Sequence, residues 1–241
     1  MGLVFQDPTA CLNPLFTIGS QIVETIRAHR PAGRAQARAK ALAALEETGL
    51  AEAARVFDSY PHQLSGGQCQ RAFIALALAT DPELLIADEP TTALDVTVQR
   101  RLLDLLAELS HRRGLSLLLI THNLAVVARL AHRVLIMYAG QVVEEAPVGE
   151  LFSSPAHPYT RALLECLPDV DAPRPDPPTI PGVVPQPGNW PAGCRFRPRC
   201  QLAEQACGAV QKLVPAAGAG PKMVRCWKAA ENAVGEISDE P

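Results

Sequence analysis

Leu64-Ser65-Gly66-Gly67-Gln68 reads as a glycine turn opening a helix, and Leu84-Leu85-Ile86-Ala87-Asp88-Glu89 as an apolar strand ending in two carboxylates. A strand apolar on both faces must be covered on both, which calls for an α/β layer with a mainly parallel sheet. The surrounding pattern agrees. Helices are expected over Ile18 to His29, Gly66 to Ala79, Val96 to His111 and Leu124 to Ala131. Strands are expected over Gly2 to Phe5, Leu84 to Asp88, Leu115 to Thr121, Val134 to Tyr138 and Gln141 to Glu145. An Ala-rich helix runs from Arg34 to Arg55 with a break near Gly49.

The chemistry of these two segments is directional. A parallel strand delivers the side chains at its C-terminal end into the crevice where ligands bind. There Asp88 can hold Mg²⁺, which takes one or two carboxylates and otherwise keeps waters and phosphate oxygens, and Glu89 can polarise a water. The glycines of the turn let backbone amides approach an anion, and the helix behind them points its positive end at the same place. Ser65 adds a hydroxyl and is also a good N-cap. The alternative, a solvated strand end and an ordinary capped helix, is disfavoured because Pro90-Thr91-Thr92-Ala93-Leu94-Asp95 follows the acidic pair at once.

Composition narrows the class. A net charge of −3 over 241 residues gives no global signal for nucleic acid. No apolar run approaches the ~20 residues that cross a bilayer, and no secretory signal opens the sequence. A cytosolic chain is expected, with its seven cysteines reduced or metal-bound. Pro168 to Pro191 is too rich in proline for helix or central strand and reads as a linker; the end, Ser238-Asp239-Glu240-Pro241, reads as a disordered tail.

The turn and acidic strand resemble the signature motif (Leu64, Ser65, Gly66, Gly67, Gln68) and Walker B strand of ATP-binding-cassette (ABC) ATPases. Gln6, after the first strand and before Asp7-Pro8, resembles the Q-loop glutamine; His122, after Leu117-Leu118-Leu119-Ile120-Thr121, resembles the switch histidine; Asp95 ends a D-loop-like segment at the dimer seam. Asn123 stands where the family commonly has Asp. Phe5-Gln6-Asp7-Pro8, Leu12-Asn13-Pro14, Tyr60-Pro61-His62-Gln63 and Ser154-Pro155-Ala156-His157-Pro158-Tyr159-Thr160 resemble one branch, the ATP-binding subunits of oligopeptide and dipeptide importers, with nickel importers as relatives.

The resemblance implies a P-loop NTPase fold with a helical subdomain over about residues 9–80, an ABC ATPase domain over 1–153 and a peptide-importer extension with a Cys module over 154–241. It implies ATP and Mg²⁺ as ligands, with Asp88 and Gln6 toward Mg²⁺, Glu89 as general base, His122 on the γ-phosphate, and the signature clamping a phosphate in trans. It also implies a head-to-tail ATPase partner, two permease subunits, an indirect substrate-binding protein, no nucleic acid, and a place on the cytoplasmic face of the plasma membrane. Alternatives are a nickel importer, an ABC ATPase acting on nucleic acid, and an incompetent fragment.

No G-x-x-x-x-G-K-S/T phosphate loop occurs in the sequence. The expectation is therefore a partial fold, truncated before the Q-loop so that the Walker A loop is missing. Cys194, Cys200, Cys207 and Cys226 run C-x5-C-x6-C-x18-C, which leans away from the closer pairs of zinc modules. The branch associates a similar tail with an iron–sulfur (4Fe-4S) cluster; zinc and no metal remain open. Cys11, Cys69 and Cys166 read as packing or surface residues, Arg71 as a structural salt-bridge former, and Trp190 and Trp227 as packing of the terminal module.

Overall fold

The computed structural model describes residues 1–91, 95–167, 178–217 and 220–230. Thr92, Ala93 and Leu94, the first part of the proline-rich linker and the polar tail lie outside the described residues. The chain divides into two compact units, Met1–Val126 and Val127–Pro241.

The first unit runs β1 (Gly2–Val4), α1 (Pro8–Cys11), α2 (Ile18–His29), α3 (Arg34–Glu47), α4 (Ala53–Asp58), α5 (Gly66–Leu78), β2 (Leu84–Asp88), α6 (Val96–Arg113) and β3 (Ser116–Ile120), and α7 (Leu124–Leu130) leads out of it. Its sheet is parallel, in the order β1-β2-β3. Val4 pairs with Ala87 and Asp88 with Ile120, so the three strands end side by side.

The helical layer forms for local reasons. Thr17 caps α2 by accepting from the Ser20 amide at 3.3 Å, and Ile18, Ile22 and Ile26 recur at i+4 to bury one face completely, about 1.5–3 kcal/mol per side chain. In α3, Ala37, Ala41 and Ala44 face the core, and their small side chains let neighbouring helices approach. Gly19 makes the tightest approach: a Cβ there would fall 2.3 Å from the Phe57 ring. The expected break at Gly49 is present, with φ +74°. Arg71 Nη1 donates to the Thr48 carbonyl at 2.7 Å, closing the end of α3. On α6, Leu102, Leu103, Leu105, Leu106 and Leu109 are all buried, as their spacing requires. That helix runs past His111 and stops at Gly114, whose φ of +61° completes a left-handed cap. Arg113 at its end grips Glu47 with two guanidinium nitrogens, and this bond holds the Glu47 carboxyl below its usual range.

The second unit contains β4 (Arg133–Tyr138), β5 (Gln141–Pro147), α8 (Val148–Ser153), α9 (Pro158–Glu165), β6 (Val214–Pro215), β7 (Met223–Val224) and α10 (Trp227–Ala230). Its sheet is antiparallel, in the order β4-β5-β7-β6. The expectation of a mainly parallel sheet thus gives way to a mixed architecture. The cause is the hairpin of β4 and β5, which turns at Ala139-Gly140 and is antiparallel on its own; the Cys-containing segment extends it by adding β7 against Glu144 and Glu145. Two-residue strands, one ending in Pro215 on the sheet edge, carry no alternation that a sequence reading could detect.

Candidate functional site

The aligned strand ends build the site. Beyond the last ladder pair, the Glu89 amide donates to the Ile120 carbonyl at 2.9 Å, so β2 and β3 stay joined one residue further. Glu89 adopts φ +45°, the left-handed region. For a non-glycine residue this costs on the order of 1–3 kcal/mol and is found where surroundings impose it, often at active sites.

The turn brings the Glu89 carboxylate to His122. Oε1 accepts from the His122 amide at 3.1 Å and lies 2.6 Å from His122 Nδ1. A carboxylate is an acceptor only, so Nδ1 carries the proton and Nε2 is left facing outward. The His122 side chain is 84% exposed and that of Glu89 only 20%, so the ring stands in solvent over a largely covered carboxylate. Asn123 Oδ1 accepts from the Ala125 amide at 3.0 Å and begins α7. An amide does this as well as a carboxylate, so the turn holding His122 forms without the family's usual Asp. Asp88 occupies the last ladder position, and exposed Gln6 follows β1 at the same end of the sheet.

The glycine turn is a helix start with a complete cap. Ser65 Oγ accepts from the Gln68 amide at 3.3 Å, and Gln68 Oε1 accepts from the Ser65 amide at 3.0 Å. A Cβ on Gly66 would meet nothing within 4 Å, and one on Gly67 would meet Val98 Cγ1 at 3.5 Å. The start of α5 therefore lies beside the first turn of α6 and is open to a ligand. Asp95 caps α6 through the Val98 amide at 2.9 Å. The structure joins Glu89 and His122 directly; the signature stands on a separate element.

In the second unit Cys194, Cys200, Cys207 and Cys226 line one cavity, with His157, Arg197 and Trp227. Burial pushes the Cys194 and Cys200 thiols up, while backbone hydrogen bonds from Phe196 and Arg197 to the first, and from Leu202 to the second, oppose it. Among the described residues no group of three or more His, Cys, Asp or Glu is placed to hold a single metal ion. Four thiols around one space suit a polynuclear sulfur-ligated group better than one zinc, whose ~2.3 Å bonds draw its ligands close together.

Sequence reading missed the support behind this cavity. Glu144 is completely buried, and its carboxylate accepts from the Ala156 and His157 amides at 2.7 and 2.8 Å. His157, 1% exposed, uses Nδ1 to accept from the Tyr159 amide at 3.0 Å. Burial pushes the His157 pKa down to about 4, against a raising hydrogen bond with the Arg225 backbone. An unfolded histidine protonates near pH ~6.5. As pH falls below about 6.5 the unfolded chain takes up a proton that the folded unit refuses until about pH 4. Stability is expected to fall across that window by on the order of 3 kcal/mol, then level off. Urea unfolding followed by Trp fluorescence at stepped pH checks this. A flat profile from pH ~7 to ~4.5 would mean that the ring protonates freely in the fold.

Two family models match parts of the chain. The ABC transporter family model matches residues 1–92, and that of the oligopeptide/dipeptide transporter C-terminal region matches 143–207. A peptide import ATP-binding protein of Brucella abortus (strain 2308) is 47% identical over 218 residues, covering 90% of this chain and 66% of that protein. One from Brucella melitensis biotype 1 is 50% identical over 215 residues, covering 87% and 64%. The chain thus spans just under two thirds of the length of these relatives. Among solved structures, the dimeric bacterial ABC transporter cassette MJ0796 is similar with TM-score 0.53 and 35% identity, over 61% of this chain and 62% of that one. The protein cbiO1 of Clostridium perfringens, part of the cbiONQ ABC transporter complex, gives TM-score 0.56 and 29% identity, over 64% and 59%.

The match over residues 1–92 corrects the expectation of a member truncated before its Q-loop: the ABC domain is present in the chain and not cut away. The chain is thus similar to the ABC transporter family over residues 1–92 and to the C-terminal region of oligopeptide/dipeptide transporters over residues 143–207.

Proposed function

We propose that this chain is an energy-coupling subunit that hydrolyses MgATP to drive import of di- and oligopeptides. The observation that carries the reading is the Glu89–His122 contact at the C-terminal ends of parallel strands. Asp88 holds Mg²⁺ and Glu89 polarises the attacking water. His122 presents its outward nitrogen to the γ-phosphate, and Gln6 senses the occupied site. Leu64, Ser65, Gly66, Gly67 and Gln68 present the N-terminus of α5 to the triphosphate bound by a second, homologous ATPase subunit, with Asp95 beside the seam. The positive helix end and open backbone of such a start suit an anion. The dimeric MJ0796 cassette supports this pairing by similarity.

Among the described residues no helix is long and apolar enough to cross a membrane. We place the chain on the cytoplasmic face of the plasma membrane against two permease subunits, supplied by a substrate-binding protein. The division into an ATPase domain over 1–153 and an extension over 154–241 belongs to the same proposal. In the extension, the four cysteines would hold a 4Fe-4S cluster, which supplies one-electron chemistry or a structural clamp when bound.

Proteoliposomes carrying the permease pair, this chain and its ATPase partner test the assignment. ATP inside is expected to drive labelled dipeptide uptake, and a non-hydrolysable analogue is not. Salt-sensitive binding of DNA or RNA without peptide uptake would replace the importer reading with a nucleic-acid one.

A further inference from the structure

Among the described residues, Cys207 is the cavity thiol that receives a side-chain donor. Trp227 Nε1 stands 3.3 Å from Cys207 Sγ. An indole N–H only donates, so the sulfur is the acceptor in every state of the site. The Glu204 amide approaches the same sulfur at 3.5 Å. Cys207 is itself buried, which strengthens such a bond by excluding water. Lys228, next in sequence, pairs with Glu204 and lies 5.8 Å from the Trp227 ring centroid. The ion pair ties the residue next to Trp227 to Glu204, whose own amide reaches the same sulfur.

We propose that Trp227 is a positioning residue that acts through Cys207 to raise the reduction potential of the group held by the four thiols. This rests on the cluster reading above. When the cluster accepts one electron from an external reductant such as dithionite, the added negative charge spreads onto its sulfur ligands. A fixed N–H donor stabilises that more negative form over the oxidised one, which favours reduction. Packing alone would not do this, because only the N–H turns a positive dipole end toward the sulfur.

The test is a spectroelectrochemical titration of the full chain, reconstituted anaerobically with iron and sulfide, as wild type and as Trp227→Phe. At equal iron and sulfide content per chain, Trp227→Phe is expected to have a more negative midpoint. Its reduction should be about two- to tenfold less favourable, the range one hydrogen bond supplies. An unmoved or more positive midpoint in a fully loaded variant overturns the role of Trp227 and leaves the cluster standing. A wild type that takes up no iron and stays colourless overturns the cluster and this proposal with it. If Trp227→Phe fails to load, pulsed EPR on the reduced wild type labelled with ¹⁵N in its indoles decides. A coupling from Nε1 supports the contact to the cluster's ligand, and its absence overturns it.

Discussion

Glu89→Gln is expected to lower ATP hydrolysis by the assembled importer on the order of 10²–10⁴-fold, while MgATP still draws the two ATPase subunits together. The substitution is nearly isosteric and keeps an oxygen that can accept from both the His122 amide and Nδ1. The strand end is held separately, by the Glu89 amide on the Ile120 carbonyl. What disappears is the carboxylate's capacity to take a proton from water. Phosphate release and ATP-dependent dimerisation, measured on the same preparation, separate chemistry from binding. Turnover at the wild-type rate would remove Glu89 from the role of base.

Gly66→Asp carries the second large effect, with opposite signs for stability and activity. Gly66 is the first residue of α5, has open space where a Cβ would go, and is absent from the positions with positive φ. A side chain there is free of strain. A carboxylate in the first turn favours the helix by about 0.3–1 kcal/mol, and replacing glycine removes unfolded-state entropy. The thermal midpoint is therefore expected to hold or rise. Hydrolysis is expected to fall on the order of 10²–10³-fold, the scale seen when one fixed donor to a developing anion is lost, because the new charge repels the partner's triphosphate. Differential scanning fluorimetry beside a phosphate assay reads both signs. A stable variant with full activity would mean that this turn faces solvent in the working assembly.

Much of the first unit was legible because its signals are periodic or punctuated. The stretch Ile18 to His29 read as a helix, Gly49 as a break and the apolar run Leu84–Ile86 as a strand; the expected covering of both faces is not found among the described residues, since buried Leu85 and Ala87 alternate with half-buried Leu84 and Ile86, and Leu118 and Ile120 of β3 are exposed. The Glu89–His122 contact was legible only as two separate strand ends; their meeting depends on register, which no single strand encodes. The left-handed turn at Glu89 gave no warning, since it is imposed on an ordinary residue by the Ile120 carbonyl and the His122 turn. In the second unit, the four cysteines stood out as candidates, with a cluster, zinc and no metal all left open; the fold places them around one cavity. The carboxylate of Glu144 supporting the chain at His157 did not show, because a buried acid that accepts two backbone amides looks in sequence like any surface glutamate.

One assay decides whether the acidic strand end and the glycine turn serve triphosphates bound between two subunits. Inorganic phosphate is followed after MgATP is added to this chain assembled with its ATPase partner and permease pair. Steady release that Glu89→Gln and Gly66→Asp each suppress, without loss of assembly, is the expected result. An intact wild-type assembly that releases no phosphate would contradict it.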